Sequence, residues 1–182
     1  MTCKWAYATP DGFDDIIMSG EGEYLTGLWF QGSKGASVTE GCEEKFLPVF
    51  KETCSWLKAY FSGETPDFTP RYKLGGQTEF RRIVTEIMTT IPYGKVMTYG
   101  EVAAQAALRL GKEKMSAQAV GGAVGANPIS IIVPCHRVVG AKGRLTGYSG
   151  GIGNKAALLR LEGIDLSYLR FACQSCRLRL AA

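Results

Sequence analysis

Cys135 and His136 stand side by side in Val133-Pro134-Cys135-His136-Arg137, and His136 is the only histidine among 182 residues. An imidazole next to a thiol can take its proton, directly or through a water, and the thiolate is the competent nucleophile. The apolar run Ile129 to Val133 should bury as a short strand or extended segment. Pro134 lacks an N–H and breaks that run, so the chain turns where the two reactive groups appear. On the dipeptide alone, a small buried cysteine beside a satisfied core histidine is the better reading. The surrounding pattern has to reverse it.

The elements that position this segment read as two domains. Lys4 to Thr9, Asp14 to Ser19 and Tyr24 to Gln31 have the look of strands, separated by the turn residues Pro10-Asp11-Gly12 and by Gly20 to Glu23. Phe46, Phe50, Cys54, Leu57 and Phe61 recur at helical spacing, and Gly63 with Pro66 beyond is a normal helix stop. Residues 1–62 are therefore expected to form a small α/β domain, a sheet with a helix. Residues 63–76, with Gly63, Pro66, Pro70, Gly75 and Gly76, read as a linker.

Residues 77–170 read as a mainly helical domain, with 171–182 as a tail. Thr78 can cap a helix whose stripe is Phe80, Ile83, Val84, Ile87, Met88 and Ile91, ended by Pro92-Tyr93-Gly94. Tyr99 to Leu110 and Ser116 to Val124 form two short helical stretches around Gly111 and the charged run Lys112-Glu113-Lys114. Two such helices suggest a helix-turn-helix, although any helical hairpin fits the pattern alone.

Composition bounds the function. The chain is 46% hydrophobic and 21% charged, too apolar for disorder. It has no window of the roughly 18 apolar residues that a membrane helix needs, and its first residues lack the apolar core of a secretory signal. A cytoplasmic protein with six free thiols is expected, with no membrane partner. The net charge of +4 is split: residues 1–76 carry 7 basic and 11 acidic side chains, residues 77–182 carry 14 and 6. A basic second half fits a polyanion such as nucleic acid.

Asn127-Pro128, Pro134-Cys135-His136-Arg137-Val138 and Gly147-Tyr148-Ser149-Gly150-Gly151 together resemble the O6-alkylguanine-DNA alkyltransferases, the methylated-DNA–protein-cysteine methyltransferase family. The likeness runs on through Ile91 to Val96, Thr98-Tyr99-Gly100, Ala119-Val120-Gly121-Gly122 and Leu158 to Gly163. It is dense over residues 77 to about 166 and only general in layout before them. The resemblance implies that Cys135 takes the alkyl group from O6 of a damaged guanine in double-stranded DNA. A thioether is neither a good leaving group nor hydrolysable, so each molecule would act once, as a monomer with no cofactor, metal or protein partner. O4-alkylthymine is left open as a second substrate.

The resemblance also assigns residues. His136 falls on the base of a Glu–His–water–Cys relay and Glu162 on the carboxylate that orients it. Asn127 matches the asparagine tying the helix-turn-helix to the active site, and Tyr99 the tyrosine that helps deliver a proton to the guanine. Tyr148 and Ser149 match the loop that hydrogen-bonds the base. The target nucleotide must leave the stack. The family extrudes it from the minor groove, where the small residues Ala119, Gly121, Gly122 and Ala126 allow close approach, with Arg137 also expected at the DNA. The same small residues are equally consistent with tight helix packing.

One position departs from the pattern. The family usually places Arg before the Ala-Val-Gly sequence to fill the gap left by the flipped base, and here the residue is Gln118. Gln has an amide for the orphaned base but no planar cation to stack. Cys135 argues against a non-catalytic lesion sensor on this fold. Scarce basic side chains on the proposed recognition helix argue against a transcription regulator, and a cysteine hydrolase would need an intermediate that water releases. Cys173-Gln-Ser-Cys176 is half of a zinc site, short of the four ligands a structural zinc requires. Arg177 and Arg179 add charge to the tail.

Overall fold

The computed structural model describes residues 1–168, 170 and 171. The chain divides into two compact units, one of Met1–Gly75 with Pro128–Ile132, the other of Gly76–Asn127 with the residues from Val133 onward.

In the first unit, β1 (Cys3–Tyr7), β2 (Ile16–Glu21), β3 (Tyr24–Phe30) and β4 (Glu43–Glu44) form a sheet of order β3-β2-β1-β4. The β1–β2 and β2–β3 pairs are antiparallel and β4 joins β1 in parallel. Gly22, at φ 58°, makes the two-residue turn between β2 and β3. Helix α1 (Pro48–Phe61) packs on β2 and β3. The sequence pattern began this helix at Phe46. It starts two residues later because Pro48 fits the first helical position and disfavours helical geometry in the residue before it. The buried stripe is accordingly Val49, Phe50, Thr53, Trp56, Leu57 and Tyr60, while Phe46 lies half exposed ahead of the helix.

Two further expectations change within this unit. The Gly/Pro-rich stretch returns to β3, where Leu25 donates to Arg71 C=O at 2.8 Å and Lys73 donates to Leu25 C=O at 2.9 Å. The apolar run at Ile129 is buried but is no strand. Leu28 N–H donates to Pro128 C=O and Ser130 N–H to Leu28 C=O, at 2.8 and 2.9 Å. The chain then reverses through Ile131 at φ 69°, with Ile132 N–H donating to Ser130 C=O. A β-branched residue in that conformation is strained, and it ends any ladder.

In the second unit, α2 (Glu79–Thr89), α3 (Tyr99–Arg109) and α4 (Ala117–Gly125) pack against one another. Thr78, Thr98 and Ser116 cap them, each side chain accepting the backbone N–H three residues on, and Thr98 forms a reciprocal capping box with Glu101. Gly111 at φ 62° closes α3: its N–H donates to Leu108 C=O and that of Lys112 to Ala107 C=O, the glycine-dependent Schellman stop. α3, this turn and α4 make the helix-turn-helix. Two short parallel pairs, β5 (Met97–Thr98) with β6 (Val138–Val139) and β7 (Arg144–Leu145) with β8 (Arg170–Phe171), frame α5 (Ile152–Leu161). Val139, Leu145, Ala156 and Leu159 form a common core there. No helix among the described residues is long and apolar enough to cross a membrane.

Candidate active site

Pro134 sets the direction of the reactive cysteine. Its φ of −80° and ψ of 59° close a three-residue turn in which Cys135 N–H donates to Val133 C=O at 2.8 Å. That is an inverse γ-turn, for which the proline ring is already shaped. A single 3-10 turn, Cys135–Arg137, follows, with Cys135 only 1% exposed and His136 fully buried. Asn127 lies just past the end of α4, and its Nδ2 donates to Val133 C=O at 3.0 Å and to Cys135 Sγ at 3.1 Å. One amide thus fixes the thiol to the last turn of the helix-turn-helix.

Glu162 caps the C-terminus of α5. Gly163, at φ 77°, donates to Arg160 C=O and Ile164 donates to Leu159 C=O, so the carboxylate's origin is set by a second Schellman stop. A negative charge at that end opposes the helix dipole. The charge is held by partners: His136 Nε2 donates to Oε1 at 2.7 Å, Arg137 Nη2 to Oε1 at 2.9 Å, Arg137 Nε to Oε2 at 3.0 Å, and Gly94 N–H to Oε2 at 3.1 Å. The turn Pro92-Tyr93-Gly94 closes over the same helix end, where Tyr93 Oη donates to Leu161 C=O at 3.1 Å. Gly94 has φ 71°, and a Cβ there would meet Glu162 C=O at 3.0 Å, so glycine is required twice over.

The electrostatics suit a resting neutral thiol. Burial pushes the Cys135 thiol up, with the Asn127 hydrogen bond, the Lys155 charge and Tyr148 pulling the other way. Burial also pushes His136 down, against the hydrogen bond and charge of Glu162. For Glu162 burial works upward but His136 and Arg137 outweigh it and hold the carboxyl at about 2. Nε2 therefore keeps its proton towards Glu162, leaving Nδ1 as the basic nitrogen.

A cavity of about 750 Å³ opens in the second unit. Tyr99 and Gly100 of α3, Ala117, Gln118, Gly121 and Val124 of α4, and the loop residues Gly140, Thr146, Tyr148 and Ser149 are among its walls. Two of these walls are coupled to the thiol electrostatically: Tyr148 pulls the Cys135 pKa down, and the Cys135 charge raises that of Tyr99. Of the residues expected from the sequence, Asn127 is hydrogen-bonded to Cys135 and His136 to Glu162, two pairs that meet at adjacent residues, and Tyr99, Gln118, Gly121, Tyr148 and Ser149 line the cavity. Ala119, Gly122 and Ala126 instead lie on the exposed face of α4 and its end. A Cβ built on Gly121, Gly122 or Gly125 meets nothing within 4 Å. Packing within the chain therefore does not explain those glycines. Arg137 departs from its expected place at the DNA: its guanidinium is 12% exposed, bound to Glu162 and donating through Nη1 to Ile91 C=O at 2.7 Å.

Residues 79–164 match the family described as 6-O-methylguanine DNA methyltransferase, DNA binding domain. The chain is 50% identical over 150 residues to the methylated-DNA–protein-cysteine methyltransferase of Mycobacterium tuberculosis strain H37Rv, covering 81% of this chain and 85% of that one. It belongs to the methylated-DNA–protein-cysteine methyltransferase family. The crystal structure of Mycobacterium tuberculosis O6-methylguanine methyltransferase superposes with a TM-score of 0.76 at 40% identity, over 92% of this chain and 98% of that one. The structure of Mycobacterium tuberculosis OGT in complex with DNA superposes at 0.75 and 37% identity, over 92% and 94%.

This methyltransferase carries one site group that the sequence reading passed over. Lys155 is fully buried, its Nζ donating to Val138 C=O at 2.6 Å and Thr146 C=O at 3.1 Å and lying 5.9 Å from the centre of the Tyr99 ring. Burial brings its pKa down to about 8, with the Cys135 charge acting upward. The signal was its spacing: Lys155 falls three residues after Ile152 and four before Leu159, on the inward stripe of α5. Cys3, Cys42, Cys54 and Cys135 are free thiols, and the described residues hold no cluster of three or more metal-ligating side chains. Cys173, Cys176, Arg177 and Arg179 lie outside the described residues.

Proposed function

We propose that this methyltransferase repairs double-stranded DNA by moving the alkyl group of O6-alkylguanine irreversibly onto Cys135. The observation that carries the reading is the Glu162–His136 hydrogen bond, closed at 2.7 Å, next in sequence to a buried thiol, in a unit that also holds a cavity large enough for a nucleobase. His136 takes the thiol proton through a bridging water, and Glu162 keeps the imidazole in the tautomer that can accept it. The sulfur attacks the alkyl carbon, the C–O6 bond breaks, and Tyr99 gives a proton to the departing guanine. Tyr99 regains a proton from solvent, His136 gives up the thiol's proton to solvent, and the thioether remains.

DNA is the partner this requires. Small exposed residues on α4, Ala119, Gly122 and Ala126, let the helix approach a narrow minor groove and its phosphates. The open space around the glycines supports that role over one in internal packing. Tyr148 and Ser149 bind the extruded base, and Gln118 fills the gap it leaves. The chain works as a monomer in the cytoplasm.

Mass spectrometry after mixing with excess O6-methylguanine duplex tests the reading. The Cys135 peptide should gain the mass of one methylene, transfer should stop at one equivalent, and Cys135→Ala should bind DNA without transfer. Repeated turnover would overturn it.

A further inference from the structure

The cavity-lining residues Gly147, Tyr148 and Ser149 lie between two backbone carbonyls that side chains of α5 hold. Upstream, Lys155 Nζ donates to Thr146 C=O at 3.1 Å, and downstream, Asn154 Nδ2 donates to Gly150 C=O at 2.7 Å. Within the segment, Gly147 C=O accepts from Tyr99 Oη at 3.4 Å and Tyr148 C=O from Gly151 N–H at 3.0 Å. The Asn154 bond is the shortest of these, and Lys155 divides its Nζ between Thr146 and Val138. Asn154 and Lys155 are consecutive and both are buried.

We infer that Asn154 is a positioning residue for the base-binding loop: its amide ties Gly150 to α5 and fixes the downstream end of the Tyr148-Ser149 segment in the shape that receives an extruded guanine. The inference rests on the proposed alkyl transfer and adds a named residue to its base-binding step. Helix formation does not explain the bond. A helix N-terminus lacks acceptors for its first N–H groups, whereas Nδ2–H is a donor. Gly151 brings no side chain to the N-cap, and asparagine is a weaker helix former than alanine. The Nδ2 of Asn154 instead reaches back past the cap to a carbonyl of the loop. Gly150 is itself buried, so without this donor its carbonyl stays unpaired or the loop has to shift to reach water. The far end of α5 carries Glu162, held by His136 and Arg137. One helix of ten residues, about 15 Å long, thus sets the base-binding loop at its start and the relay carboxylate at its end.

The test measures single-turnover methyl transfer by the full chain at saturating O6-methylguanine duplex. Affinity for the same duplex without the lesion and the rate at which iodoacetamide labels the Cys135 peptide are measured alongside. Asn154→Leu keeps the branched shape and removes the donor, and Asn154→Ala is the second variant, with thermal melting to establish which is folded. Either should slow methyl transfer about fivefold, the scale of one hydrogen bond. The number of active equivalents, the DNA affinity and the iodoacetamide labelling should stay at parental values. That split marks a loop that receives the base poorly beside an intact thiol, which a general loss of packing would not produce. A folded variant at the parental transfer rate overturns the inference. So does a loss shared equally by iodoacetamide labelling or DNA affinity, or a failure of both variants to fold, since the asparagine would then serve the fold at large. A parent chain that takes no methyl group from the duplex overturns the alkyl-transfer reading instead.

Discussion

Arg137 binds Glu162 through both carboxylate oxygens, and the oxygen it reaches with Nη2 at 2.9 Å is the one that takes the His136 hydrogen bond. The guanidinium is thus a counterion inside the relay. Arg137→Met should destabilise the fold by about 3 kcal/mol, the lower end for breaking a buried pair, because the charge of Glu162 loses its main cation. The salt dependence of DNA binding should stay unchanged. Urea unfolding and a salt titration check both, and a slope smaller by about one unit would mark Arg137 as a phosphate contact after all.

Glu162→Gln should slow alkylation at neutral pH while leaving DNA affinity intact, because it weakens both the tautomer and the cationic form of His136. His136→Ala should lose about 10²- to 10⁴-fold, the usual contribution of a general base. Stopped-flow alkylation measures both, and a folded His136→Ala protein at full rate would remove the histidine from the mechanism.

Gly122→Ala separates stability from function. The position is exposed, helical and open around a new Cβ, so alanine should stabilise α4 by about 0.5–1 kcal/mol. The same methyl should weaken binding to duplex DNA. A melting curve and a binding isotherm on one variant decide whether the glycine serves the groove.

Gln118 lines the cavity mouth on the first turn of α4. Gln118→Arg should leave the rate with free O6-benzylguanine unchanged and modestly speed repair of duplex DNA. Gln118→Gly should slow the duplex reaction alone, since an inserted side chain recovers part of the cost of flipping. Equal duplex rates for Gln118→Gly and the parent would show that another residue fills the gap.

Acid should destabilise the fold over two ranges. Burial lowers the pKa of His136, so the unfolded chain takes up a proton below about 6.5 that the native state refuses, and stability falls with pH from there. Glu162 titrates at about 2 in the fold against 4.5 without its partners, which adds a further loss as pH drops between those values. Urea midpoints measured against pH should decline across both ranges, and a Glu162→Gln variant should lack the lower one.

The legible part of this protein was the part written locally. Pro134 beside Cys135 announces a turn, Thr78 and Gly111 announce helix ends, and α2 carries its stripe openly. The meeting of His136 with Glu162 came from family resemblance, because nothing in a separation of 26 residues specifies contact. Lys155 was passed over because a lysine in an apolar stripe reads as surface until two backbone carbonyls are found at its tip. The short strand or extended segment expected over Ile129 to Val133 shrinks to a single bridge at Ile129 for a reason composition does not carry: the backbone reverses at Ile131. Arg137 looked like a DNA contact because a basic residue in a basic half has no visible partner until the acid that claims it is located.

The five residues Pro128–Ile132 belong with the first unit yet interrupt the second between Asn127 and Val133. Neither unit is therefore a contiguous stretch of gene. A fragment cut at Gly76 to isolate the chemistry would keep Ile129, fully buried in the whole chain, after discarding Leu28, with which it is bridged. On the ribosome β3 likewise waits for its pairing with Pro128–Ile132 until about half of the second unit has been synthesised, so the order of translation differs from the order of assembly.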